Sequence, residues 1–138
     1  MPATRLTIPA DPLSVRDGLR HLIALPPLCD LPAETRITAE IVLAEALNNI
    51  VEHAYAQGRG QIEVQVSHAP PGILCQIADD GQPMPEVGVP QGLLPSIDRQ
   101  GDLPEGGFGW YLIRTMTEGL DYQRIGGRNL LSFRINDG

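Results

Sequence analysis

Residues 33–57 contain neither glycine nor proline. In a chain of 138 residues with 15 glycines and 13 prolines, so long an unbroken run commits the region to one element. Ala, Leu, Glu and Ile dominate it, which predicts a long helix. Its centre reads Glu40-Ile-Val-Leu-Ala-Glu45-Ala-Leu-Asn48-Asn49-Ile-Val-Glu52-His53-Ala-Tyr55. Leu43, Leu47, Ile50 and Ala54 recur at helical spacing and predict a buried face. The same spacing sends Glu45, Asn48, Asn49 and Glu52 to the opposite side. A polar row of this kind is ordinarily a solvated face. Asparagine is nevertheless a poor interior helix residue, because its side chain competes for backbone groups. Two in succession, one turn after a carboxylate, point to coordination of a ligand.

The remaining elements follow in order. Arg5 to Ile8 alternates and predicts an edge strand. Asp11-Pro12 is a cap followed by proline at the first helical position. Val15, Leu19, Leu22 and Ile23 then mark an amphipathic helix that Pro26-Pro27 ends. Leu28 to Leu31 reads as a linker, Pro32 opens the long helix, and Gly58-Arg-Gly60 closes it. Gln61 to Ser67 alternates as a half-buried strand. Pro70-Pro-Gly72 is a turn, and Ile73 to Ala78 a second strand, antiparallel to the first. From Met84 to Glu105 no period survives, as in a lid or binding loop. Gly106-Gly107-Phe108-Gly109 leads into a helix marked by Leu112, Ile113 and Met116. Two strands flank Gly126-Gly127, a hairpin signal. The order predicts an α+β fold of a single domain over residues 1–138: a two-layer sandwich, its mixed and mostly antiparallel sheet covered on one face by helices.

Composition narrows the function. The formal net charge is −7, which disfavours nucleic acid or an anionic membrane as direct partner. No apolar run spans a bilayer and the N-terminus lacks a signal peptide's apolar middle, so a cytoplasmic location is expected. Cys29 and Cys75 lack metal-ligand spacing and read as buried free thiols.

Three polar segments carry the chemistry. Glu45 and Asn49, at i and i+4, can face one ligand. Asn49 offers a neutral oxygen suited to Mg²⁺, and Glu45 can act as a base toward a hydroxyl. Asp79 closes a strand and precedes Gly81; its carboxylate can accept from an exocyclic amine such as that of adenine. Gly106, Gly107 and Gly109 leave backbone N–H groups free at a helix start, which suits phosphate. Each alone has an ordinary reading. Asp-Asp-Gly is a common turn, Gly-Gly-x-Gly lacks the dinucleotide-fingerprint context, and His53 alone fits a packed or capping residue. The ordered set is the informative observation.

Glu45-Ala-Leu-Asn-Asn49-Ile-Val-Glu-His53, Asp79-Asp-Gly81-Gln-Pro83 and Gly106-Gly-Phe-Gly109-Trp-Tyr-Leu-Ile resemble, in order, the N box and the two glycine boxes of the GHKL (histidine-kinase-like) ATPases. Within that superfamily the chain looks like the stand-alone anti-sigma-factor serine/threonine kinases of the RsbW and SpoIIAB type. The resemblance implies a Bergerat-type ATP-binding fold with ATP and Mg²⁺ as cofactors. By it, Asn49 binds the metal, Asp79 reads the adenine amine and Glu45 is the general base. His53, Gly81, Gly106, Gly107 and Gly109 belong to the same nucleotide-binding boxes. The implied function is transcription regulation by partner switching: a kinase phosphorylates a STAS-domain anti-sigma-factor antagonist and otherwise holds a sigma factor or similar regulator. A homodimer is also implied. Departures from the pattern are Pro83 in the first glycine box, Glu105 where some relatives place an arginine, and the absence of the late Gly-Thr pair. Arg99 is a candidate substitute for that arginine, and Asn129 is the nearest polar stand-in for the pair. Glu105 and the absent Gly-Thr pair motivate an alternative, a non-catalytic ATP-binding module that only sequesters its partner.

Overall fold

The computed structural model describes residues 3–54, 60–82 and 107–136, with the side chains of 53, 54 and 107–110 outside that set. The elements run β1 (Thr4–Pro9), α1 (Pro12–Ile23), a 3₁₀ turn (Leu28–Asp30), α2 (Ala33–Ala54), β2 (Gln61–Ala69), β3 (Gly72–Asp79), α3 (Gly107–Met116), β4 (Glu118–Ile125) and β5 (Arg128–Asn136). The strands form a five-stranded sheet in the order β1-β2-β3-β5-β4. All four pairings are antiparallel. The sheet among the described residues is thus wholly antiparallel, where the sequence predicted a mixed one. The α+β class and the one-sided helical cover are as expected.

Local chemistry accounts for the elements. The Asp11 carboxylate accepts from the Ser14 backbone N–H at 2.8 Å and caps α1, with Pro12 opening the helix. Gly126 and Gly127 both have positive φ, 58° and 81°, which a two-residue hairpin turn of the primed kind requires. The segment read as a linker instead forms the 3₁₀ turn. It buries Leu28 fully and pins the chain between α1 and α2.

Period-two alternation separates the faces of the sheet. Ile62, Val64 and Val66 of β2, Ile73, Cys75 and Ile77 of β3, and Leu131, Phe133 and Ile135 of β5 are all buried. The register stacks them into cross-strand rungs: Val66–Cys75–Phe133, Val64–Ile77–Leu131, then Ile62–Asp79–Asn129. Two rungs are apolar and the last is polar at two of its three positions. Val42, Leu43, Ala46, Leu47 and Ile50 of α2 join the same core, as do Val15 and Leu22 of α1 and Ile113 of α3. On the other face Arg5, Gln65, Gln76, Ser132 and Asp121 share one polar rung across all five strands.

The helix α2 is flanked by α1 and by α3 and touches β5. Its buried arc is therefore wider than a single stripe. This corrects the placement of Asn49 on the side opposite the buried face: it is 3 % exposed. Asn48 and Glu52 are exposed as predicted, and Glu45 is half-buried. Cys75 is buried and free, its thiol pushed up to about 12 by burial. Cys29 is also free but exposed, against expectation. The proposed lid, Met84 to Glu105, lies outside the described residues, and Arg99 and Glu105 with it.

Candidate functional site

The core's polar rung is where the site begins. Asp79 is the last residue of β3 and is 2 % exposed. Its register partners are Ile62 on one side and Asn129 on the other. Alternation turns Asp79 and Asn129 inward together, so their side chains meet. Asn129 Nδ2 donates to Asp79 Oδ1 at 2.8 Å, and the Gly81 N–H donates to the same oxygen at 2.8 Å. Asp79 Oδ2 receives no hydrogen bond among the described residues. The Gly81 contact is the turn that Asp-Asp-Gly suggests on its own. The turn and the buried carboxylate are thus one structure.

Asn129 is itself held from behind. Tyr122 Oη donates to Asn129 Oδ1 at 2.5 Å, and an Arg124 guanidinium nitrogen donates to it at 3.0 Å. The same Arg124 nitrogen donates to the Gly81 carbonyl at 2.6 Å. Asn129 Nδ2 also donates to the Gln82 carbonyl at 2.9 Å. Burial pushes the Asp79 carboxyl above its ordinary value, and the charge of Asp80 adds to this. The Asn129 and Gly81 hydrogen bonds, and the Arg124 charge, oppose it. Outside the pocket, Arg128 pairs with Glu63 at 3.1 Å and Asp80 at 2.9 Å. All three are largely exposed, so these pairs contribute little to stability.

The second set of residues lies on α2. Glu45 and Asn49 sit one turn apart, with Asn49 buried and Glu45 half-buried. Asn49 Nδ2 has no hydrogen-bond partner among the described residues. A buried amide left unpaired costs about 1–3 kcal/mol, and this Nδ2 is available to a hydrogen-bond acceptor. His53 occupies the last turn of α2; its side chain is outside the described set. Gly107 and Gly109 form the first turn of α3, which packs beside α2. Gly106 lies outside the described residues.

The structure therefore joins Asp79, Gly81 and Asn129 directly and places Glu45 and Asn49 together on α2. Sequence reading missed Tyr122 and Arg124, and saw Asn129 only as a polar stand-in. A signal existed for Arg124. The two-residue turn at Gly126-Gly127 sets the register Arg124↔Asn129. Among the described residues no group of three or more His, Cys, Asp or Glu side chains could hold a metal.

This geometry can be set beside known proteins. Residues 8–135 match the histidine kinase-like ATPase domain. The chain belongs to that family. A relative in Bordetella bronchiseptica, named serine/threonine-protein kinase BtrW, is 34 % identical over 102 residues, covering 72 % of this chain and 70 % of the relative. Membership makes this histidine kinase-like ATPase domain an ATP-binding one, and its antiparallel sheet with helices on one face agrees with that fold. Among the described residues no helix is long and apolar enough to cross a membrane.

Proposed function

We propose that the chain is an ATP-dependent serine/threonine-protein kinase that works in the cytoplasm by partner switching. It phosphorylates a STAS-domain anti-sigma-factor antagonist and otherwise holds a sigma factor or similar regulator. The observation that carries this reading is the buried Asp79, with Oδ1 doubly engaged and Oδ2 without a hydrogen bond among the described residues, on a chain that also keeps Glu45 and the unpaired Asn49 one turn apart. The relative's name supports the reaction class.

Each residue then has a task. Asp79 Oδ2 accepts from the exocyclic amine of adenine. The backbone of Gly107 and Gly109, at the start of α3, faces the phosphates at the positive end of a helix. Asn49 fits a divalent cation: it offers Oδ1 as a neutral oxygen ligand and its Nδ2 to a phosphate oxygen. Mg²⁺ is commonly bound through one or two protein oxygens plus phosphates and water. When bound, it neutralises charge on the transferring phosphoryl group. Glu45 takes the proton of the acceptor hydroxyl. That oxygen then bonds to the γ-phosphorus as the bond to the β,γ-bridging oxygen breaks, leaving ADP and a phosphoserine or phosphothreonine.

The test is phosphorylation of the cognate antagonist by purified protein with Mg-ATP. Glu45→Gln should lower the turnover rate by about 10²–10⁴-fold, the usual contribution of a general base, and leave ATP binding near wild type. ATP binding without any phosphorylated product would overturn the kinase and leave a sequestering module.

A further inference from the structure

The hairpin of β4 and β5 contains a relay that stops at Asp79. We propose that Asn129, fixed in one amide orientation by Tyr122 and Arg124, is the positioning residue that turns Asp79 Oδ2 toward the nucleotide base. It thereby sets the preference for a base bearing an exocyclic amine. The inference rests on the reading of Asp79 as the residue that meets the base, and deepens it.

The orientation of Asn129 is decided by its neighbours. A guanidinium only donates hydrogen bonds, so the atom facing Arg124 at 3.0 Å must be the amide oxygen. On the other side stand acceptors: Asp79 Oδ1 at 2.8 Å, the Gln82 carbonyl at 2.9 Å and the Gly81 carbonyl at 3.5 Å. A flipped amide would set oxygen against those acceptors and NH₂ against a cation. Asn129 is 2 % exposed, so water cannot relieve either conflict. The amide therefore has one state, and Nδ2 always faces the carboxylate.

That state determines what Asp79 can recognise. Oδ1 takes two N–H donors, from Asn129 and from Gly81, which fixes the plane of the carboxylate. Oδ2, which takes no hydrogen bond among the described residues, is left as an acceptor. A ligand atom meeting it must donate, as the adenine amine does. A carbonyl in the same place, as in hypoxanthine, would set two acceptors against each other. The Asn129 donation also opposes the burial that favours a protonated carboxyl. Without it, Asp79 would more readily carry a proton and donate to a carbonyl. Loss of Asn129 should thus weaken discrimination between the bases, beyond any loss of affinity.

Calorimetric titration with ADP and with inosine diphosphate tests this, because the two differ at the exocyclic group and share the phosphates. Wild type should prefer ADP by about 10- to 100-fold. Asn129→Ala should bring that ratio several-fold closer to one, and Asn129→Ser, which keeps a donor, should restore part of it. Tyr122→Phe, which keeps the ring's packing and leaves Arg124 in place, should lower the ratio by a smaller factor. It carries the test if Asn129→Ala does not fold. A fall in both affinities with the ratio unchanged would overturn the inference and make Asn129 a packing residue. A wild-type protein that binds both nucleotides equally would overturn the inference together with the reading of Asp79.

Discussion

Two buried amides, Asn49 and Asn129, distinguish this site, and they are satisfied in opposite ways. Asn129 is bonded at both ends within the protein, whereas Asn49 Nδ2 has no partner among the described residues. Replacing Asn49 should therefore separate stability from binding. Asn49→Ala removes an unpaired buried donor and adds a better helix former, and it deletes only a small side chain. In urea unfolding without nucleotide the variant should match wild type or exceed it by up to about 1–2 kcal/mol. Calorimetry should show Mg-dependent ATP binding lost. A loss of more than about 1 kcal/mol would instead give Asn49 a structural role. Glu45 and Asn49 could be read in advance because their spacing is local to one helix. The burial of Asn49 could not, since it depends on α1 and α3 closing on both sides of α2. The Asp79–Asn129 contact was equally hidden. It spans 50 residues and exists only once β3 pairs with β5.

At the scale of elements, two glycines show how tightly the layers are joined. Gly18 of α1 faces Ile8 of β1; a Cβ there would come within 2.7 Å of the Ile8 side chain. Gly72 opens β3, and a Cβ there would lie 1.9 Å from the Ile135 carbonyl oxygen of β5. The first obstacle is the side chain of a buried β-branched residue; the second is paired backbone. Gly18→Ala gains up to about 1 kcal/mol of helix propensity, but the buried Ile8 must shift at an overpacking cost of about 1–3 kcal/mol, so its urea midpoint should match wild type or fall modestly below it. Gly72→Ala should lose about 2–3 kcal/mol and loosen the β3–β5 pairing, read as a lower urea midpoint and faster amide exchange there. Elements with their own punctuation were legible. Asp11-Pro12 announced α1, Pro70-Pro71 the β2–β3 hairpin and Gly126-Gly127 the β4–β5 hairpin. The 3₁₀ turn at Leu28–Asp30 was obscured by the prolines before it, and what holds it is the burial of Leu28 beneath α1 and α2. Strand order was beyond reach, because nothing local to β3 specifies β5 as its second neighbour.

Across the whole molecule, the apolar core ends in a charge. The same inward register that stacks Val64, Ile77 and Leu131 continues into Ile62, Asp79 and Asn129, so the carboxylate proposed to meet the base is carried by the packing that stabilises the fold. Burial raises the Asp79 carboxyl above its ordinary value, which means that the folded state binds this proton more readily than the unfolded chain does. The stability contributed by that proton is fully present below the ordinary aspartate value and is lost as pH rises through the raised one. Asp11 runs the other way. The Ser14 N–H and hydroxyl hold it below its ordinary value, so its contribution is present at neutral pH and lost on acidification through that lower value. Comparing wild type with Asp79→Asn at each pH cancels Asp11 and isolates the buried site. An asparagine at 79 can still accept both Oδ1 hydrogen bonds, so Asp79→Asn should be the more stable protein in urea at about pH 7.5, with the gap closing towards about pH 4. ADP binding should move in the opposite sense. The variant presents a donor or a neutral oxygen where an ionised acceptor stood, and wild type should itself lose affinity on acidification at a higher pH than an ordinary aspartate would cause. A variant less stable than wild type at neutral pH would mean that the Asn129 and Gly81 hydrogen bonds outweigh the cost of the buried charge. Asp79 would then hold the end of the sheet together as well as meet the nucleotide.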